Sequence, residues 1–258
     1  MSEYKLGYLI EEEDHDFLSE QEDPEVILRA AKGANPSFNA YLSPHTPVEN
    51  QGSMGSCAGN ALALMFQIAL VQRYGVQARF SRMGCYIMAQ KASGISGDRG
   101  ATLSGCQQAA SGGMCLEKYW PYPNPTRYSN NVPGSSDGEM VFKMRGSRQI
   151  KDVDLIWDLL KSGVPIQTGL SWGSSCEKSV CNNYSGGRGG HSTSLVSLQE
   201  GTDHAYMQNS WGKNWGDDGR VLWTKNFVSE VLRKDRYAVF TAYDPQILNA
   251  PEGFIGRV

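Results

Sequence analysis

The sequence is short of the residues and spacings that hold metal. Its six cysteines, at 57, 85, 106, 115, 176 and 181, include no C-x-x-C pair. No Cys/His spacing suits a structural zinc site. Histidine is scarce: His15, His45, His191 and His204 are the full set. No apolar run is long enough to span a bilayer. No positively charged start leads into an apolar segment of the secretory kind. The expectation is therefore a cytoplasmic protein without a membrane partner, with export by another route left open. No internal repeat is visible, and the formal net charge is only −3. These absences argue against a zinc module, a membrane span and a repeat array.

What remains is an ordinary globular composition. The chain has 258 residues, 40% apolar and 20% charged, enough for one large domain or two lobes around a sizeable core. Its charge is uneven. Residues 1–25 hold ten acidic side chains and one base, Lys5, whereas the rest holds 17 acids and 23 bases. The basic excess of the body is small and scattered, which argues against a nucleic-acid partner.

Three runs carry chemistry. The first is VENQGSMGSC, residues 48–57. It sets Gln51 six residues before Cys57 across a Gly/Ser turn, and an apolar periodic segment follows at once. That places a thiol in the first turn of a helix, where unpaired N–H groups and the helix dipole favour the thiolate and lower its pKa. A glutamine amide close by can donate to the oxyanion of an acyl transfer. The second run is GGH, ending at His191; the third is QNSWGKNWGDDG, Gln208 to Gly219. Among the four histidines, His191 alone follows two glycines, opens a strand and precedes a second strand at hairpin distance. His204 falls in a turn facing water, His15 in an acidic run and His45 in an extended segment. Asn209 alone reads as a plain strand-end asparagine, but its run pairs it with Trp211 two residues on. Gln51 alone reads as a turn cap. Gln208 reads as structural and Trp215 as core.

Together the three runs resemble the papain-like cysteine peptidases in order, in residue type and nearly in spacing. The resemblance implies Cys57 as nucleophile, His191 as general base and Gln51 as oxyanion-hole donor, with the Cys57 backbone N–H as second donor. Asn209 would orient the base, and Trp211 would shield that hydrogen bond. It also implies an α+β fold of two lobes with the active-site cleft between them. A helical left lobe would span about 50–124 and a β-barrel-like right lobe about 139–245, within a peptidase domain of residues 46–258. The run SGDRGA, residues 96–101, resembles the glycine stretch that lines the family's substrate groove and puts Gly100 against an extended peptide. Met54 stands three residues before Cys57, where secreted members usually carry a disulfide cysteine; this fits a reducing compartment. Ala58 stands where many members have a large aromatic.

Periodicity fills in the elements. Cys57 to about Tyr74 reads as a helix stopped by Gly75, Ser81 to Lys91 as a second with Ser81 as cap, Thr102 to Ala110 as a third and Val153 to Leu160 as a fourth. Strands are expected at Val164 to Leu170, Ser192 to Leu198, Ala205 to Asn209, Val221 to Thr224 and Tyr237 to Tyr243. Tyr4, Leu6, Tyr8 and Ile10 alternate like a short strand, and Asp23 with Pro24 reads as the start of a short helix ending near Lys32. The lobe boundary is placed in the polar stretch 124–138. Cys85 reads as core. Cys106 with Cys115, and Cys176 with Cys181, are left open as possible loop closures.

The functional expectation is a cysteine endopeptidase that hydrolyses peptide bonds through a Cys-His-Asn triad and a thioester acyl-enzyme. It needs no cofactor or metal and binds an extended polypeptide; the oligomeric state is not encoded. The rivals are a papain-fold protein that binds peptides or a partner without turnover, and an amidase or transpeptidase acting on cell-wall amides. Residues 1–45 form an acidic extension, read either as a solvated tail or interaction arm, or as a reduced pro-piece that docks on the body and covers the cleft.

Overall fold

The computed structural model describes residues 5–9, 46–75, 77–123, 142–144, 146–187, 189–244 and 247–248. The expected helix over Asp23 to Lys32, the lobe boundary at 124–138, and Tyr4 and Ile10 lie outside them. Three helices build the first lobe: α1 (Cys57–Tyr74), α2 (Arg82–Ala92) and α3 (Leu103–Gly112). Each begins and ends on readable chemistry. The Ser81 hydroxyl accepts from Gly84 N–H to cap α2, and Thr102 accepts from Gly105 N–H to cap α3. Gly75 takes the left-handed conformation that closes α1. From Cys57 to Gln72 every residue of α1 is buried, as expected for a helix that is apolar on all sides. It packs against α2, α3 and the sheet of the second lobe.

The second lobe is a seven-stranded mixed sheet. Its strands are β2 (Ser147–Gln149), β3 (Ile166–Trp172), β4 (Val180–Cys181), β5 (Gly189–Leu198), β6 (His204–Gln208), β7 (Arg220–Thr224) and β8 (Val239–Tyr243). They lie in the order β2-β8-β3-β5-β6-β7-β4, and only β4 with β7 is parallel. A separate ribbon pairs β1 (Lys143–Met144) with β9 (Ile247–Leu248). Helix α4 (Val153–Lys161), capped by Asp152, packs on this lobe with α5 (Lys225–Lys234). The two lobes have separate cores. Phe66, Phe80, Tyr86 and Trp120 centre the first; Trp157, Trp172, Trp223 and Phe240 centre the second.

Several expectations need adjustment. The lobe read as mostly strand holds an extra helix, α5, whose Phe227, Val228 and Val231 are its buried residues. The strand expected at Val164 begins two residues later. The loop 173–190 contains a 3-10 turn at Ser174–Cys176 and strand β4. All six cysteines are free and buried, so neither loop-closing pair forms. No helix of the described residues is long and apolar enough to cross a membrane.

Candidate active site

Cys57 is the first residue of α1 and His191 the third of β5, so the two lobes each contribute one member of the pair. The N–H of Ser192, next to the histidine, is among the groups that favour the Cys57 thiolate, which sets the thiol near the histidine's own stretch of backbone. Continuing the β5–β6 register beyond Ser194 opposite Gln208 brings residues 209–211 alongside His191. There Asn209 Oδ1 lies 2.9 Å from His191 Nε2. The same oxygen accepts the Ser210 N–H at 2.8 Å. Because Oδ1 can only accept, Nε2 carries the proton in neutral His191. Nδ1 is then the free lone pair, and it is buried with no hydrogen-bond partner. The Trp211 ring stacks on the imidazole at 4.7 Å, and Trp172 meets it edge-on at 4.7 Å. These indoles close His191 off from water.

Gln51 is locked from behind. Its N–H donates to Ser210 O, and its Oε1 accepts the Ser210 hydroxyl at 2.7 Å. That fixes the amide so that Nε2 is the outward atom. Nε2 donates to Met54 O at 2.8 Å and to Lys5 O at 2.8 Å. The structure therefore joins His191 to Asn209 and Trp211, and Gln51 to Ser210 of the same run, while His191 Nδ1 makes no hydrogen bond to the Cys57 sulfur. Gly100 lines the groove, held there with φ +99, its N–H donating to the Tyr86 hydroxyl.

The groove is filled by the chain's own N-terminal segment. Tyr8 N–H donates to Gly190 O, Ala101 N–H donates to Gly7 O, and Leu9 N–H donates to Ala101 O. Gly7 passes the narrowest point: a Cβ on it would stand 1.9 Å from the Gly55 carbonyl oxygen. Its N–H is among the groups that favour the Cys57 thiolate. Lys5 pairs with Asp98 at 2.8 Å. Asp98 in turn accepts from Gly55 N–H and from the Tyr86 hydroxyl. Burial alone would raise the Asp98 carboxyl, but the Lys5 ammonium and these two donors outweigh it and hold it below its usual value. The described part of the acidic arm in the cleft, residues 5–9, thus carries Lys5 and none of the arm's acids.

With this segment in place the pair is neutral. Burial pushes the Cys57 thiol up to about 11, although the N–H groups of Ser192, Gly7, Ala58 and Cys57 pull the other way. This corrects the expectation of a lowered pKa at the helix start: the N–H groups are there, but desolvation of the thiolate outweighs them. Burial likewise lowers His191 to about 4, against the opposing hydrogen bond to Asn209.

Sequence reasoning did not single out Asp98, Tyr86 or Ser210. Ser210 sits inside the QNSWG run, so its signal was present. Asp98 and Tyr86 had none, because their role depends on a contact made across the cleft. Among the described residues, no group of three or more His, Cys, Asp or Glu side chains is placed to hold a metal ion.

Comparison with known proteins gives one consistent answer. The family model described as Papain family cysteine protease matches residues 38–237. An uncharacterized peptidase C1-like protein of Acanthamoeba polyphaga mimivirus is 26% identical over 222 residues, spanning 78% of this chain and 71% of that protein. Papain of Carica papaya is 24% identical over 182 residues, 68% of this chain and 50% of its own. Among solved structures, xylellain, a cysteine protease from Xylella fastidiosa, superposes with a TM-score of 0.70 at 23% identity, covering 93% of this chain and 95% of that one.

Proposed function

Because the chain belongs to the papain family of cysteine proteases, we propose that it hydrolyses peptide bonds with Cys57 as nucleophile, His191 as general base and Asn209 as the group that orients the base. The observation that carries this reading is the hydrogen bond from His191 Nε2 to Asn209, which leaves Nδ1 free. Nδ1 takes the thiol proton, and the sulfur attacks the peptide carbonyl carbon. The carbonyl oxygen gathers charge between Gln51 Nε2 and the Cys57 N–H, which lies in the first helical turn and lacks an intrahelical acceptor. The imidazolium then protonates the leaving amine, and a thioester remains. Neutral His191 next deprotonates water, whose attack releases the acid and restores the thiol. Acylation gives the thiol proton to the leaving amine and deacylation replaces it with one from water, so the cycle balances.

The N-terminal extension is read as a strap that keeps this machinery idle. Lys5 O occupies the Gln51 hydrogen that the oxyanion needs, and Gly7 lies in the groove beside Gly55. A substrate carbonyl can enter only after the strap leaves. The test is turnover of a denatured protein, compared with purified cell wall, by the full chain and by Gly7→Ala, whose added methyl cannot pass Gly55. Cleavage of the protein substrate by Gly7→Ala, abolished by Cys57→Ser, is expected. Release of cell-wall fragments alone would shift the reading to an amidase. Partner binding with no turnover of either would make the chain a binding protein.

A further inference from the structure

The strap samples the groove's preferences as a peptide would, and its side chains are treated very differently. Leu6 is 36% exposed, Gly7 has no side chain to place, and Tyr8 is 3% exposed. Tyr8 fills a pocket between the lobes. Its ring lies on Gly169 of β3, so closely that a Cβ there would stand 2.7 Å from the ring's Cζ and 2.9 Å from both Cε atoms. Gly190 makes the next wall; a Cβ on it would lie 3.0 Å from Cδ1. At the far end the Tyr8 hydroxyl donates to the Tyr237 carbonyl oxygen at 3.2 Å.

The backbone grip is independent of side chain. Ala101 on one lobe and Gly190 on the other hold the segment by N–H and C=O groups alone, as in strand addition to a sheet edge. Discrimination between peptides is then left to the pocket. Two glycines leave room for a flat ring, and a β-branched or short side chain would leave that volume unfilled. At the end wall stands a backbone carbonyl, which suits a hydroxyl donor.

Resting on the peptidase reading above, we infer that the Tyr8 pocket is the enzyme's side-chain selection pocket and that it selects a tyrosine in the substrate. Gly169 and the Tyr237 carbonyl set that choice, the first by leaving the ring its floor and the second by pairing the hydroxyl.

The experiment uses the full chain carrying Gly7→Ala and fluorogenic peptides. Tyr, Phe, Leu, Arg, Glu and Ala are varied in turn at each of the three positions before the scissile bond. One position should favour Tyr over Ala in kcat/KM by roughly thirtyfold and over Phe by about fivefold, for the lost hydroxyl partner. Adding Gly169→Ala should bring Tyr and Ala within about threefold, while the rate of Cys57 alkylation by iodoacetamide stays the same. A profile flat at every position, or led by Leu or Arg, overturns the inference yet leaves the peptidase standing. So does a Tyr preference that survives Gly169→Ala. If Gly169→Ala does not fold, the peptide profile decides alone. No cleavage together with no Cys57 alkylation removes the peptidase reading and the inference with it.

Discussion

At the scale of single residues, the site rests on fixing the orientation of two amides. Ser210 supplies both: its N–H holds Asn209 Oδ1, and its hydroxyl holds Gln51 Oε1. Gln51→Ala is expected to lower kcat by about 10²–10³-fold with little change in KM, in a steady-state assay of the unstrapped chain. An unchanged kcat would remove Gln51 from the oxyanion hole. The depressed His191 pKa also makes a stability prediction. Above about 6.5 the group is neutral in both folded and unfolded chains and has no effect. As pH falls from there toward about 4, the unfolded chain takes up a proton that the buried imidazole refuses. The folded state loses stability through that window and no further below it. Chemical denaturation between pH 7 and 4 checks this: the fall should be smaller in His191→Gln. The residue types at these positions were legible from sequence, because the three motifs name them. The raised thiol pKa was not, since it comes from burial under a segment some fifty positions away.

At the scale of elements, helices α2 to α4 were readable because each has a capping side chain, and α1 because of its long apolar run stopped by Gly75. Helix α5 was not, because Phe227, Val228 and Val231 fit a strand as well as a helix and Thr224 gives only a single cap signal. The segment 5–9 is the informative case. Its alternation suggested an extended stretch, and its use is visible only where it meets Ala101 and Gly190. Gly7→Ala should expel it. The Cys57 alkylation rate at pH 7 is expected to rise at least about tenfold over the wild-type chain, because water again reaches the thiolate; an equal rate would mean the strap does not cover the sulfur. The arm's acids suggested docking by charge on a basic body. Among the described residues of the arm the ionic contact is one partly exposed pair, Lys5 with Asp98, and such pairs contribute less than about 1 kcal/mol. Raising salt from low to near-molar should therefore change full-chain activity by less than about fivefold. A much steeper dependence would mean that further charges hold the strap.

At the scale of the whole molecule, the placing of Cys57 beside the His191 strand depends on how the lobes meet, and Gln167 is one of the buried amides that join them. Gln167 of β3 brings Nε2 within 3.0 Å of Ala58 O and 3.3 Å of Ser192 Oγ, while its Oε1 accepts the Tyr243 hydroxyl at 2.6 Å. It thus ties the residue after Cys57 to the residue after His191. Gln167→Leu removes these bonds, leaves the buried Tyr243 hydroxyl without its acceptor, and should cost about 1–3 kcal/mol of stability, measured by denaturant unfolding. The two-lobe plan could be read from the order of helical and strand periodicity. The seam between lobes could not, because nothing local marks Gln167 as a bridging residue. The most direct test of the account is the intact mass of the chain after an epoxide-type cysteine-peptidase inhibitor, for wild type, Gly7→Ala, and Gly7→Ala with Cys57→Ser. The account predicts one adduct on Gly7→Ala, slower labelling of wild type, and none once Cys57 is serine. An unlabelled but folded Gly7→Ala chain, or an adduct that persists without Cys57, would contradict it.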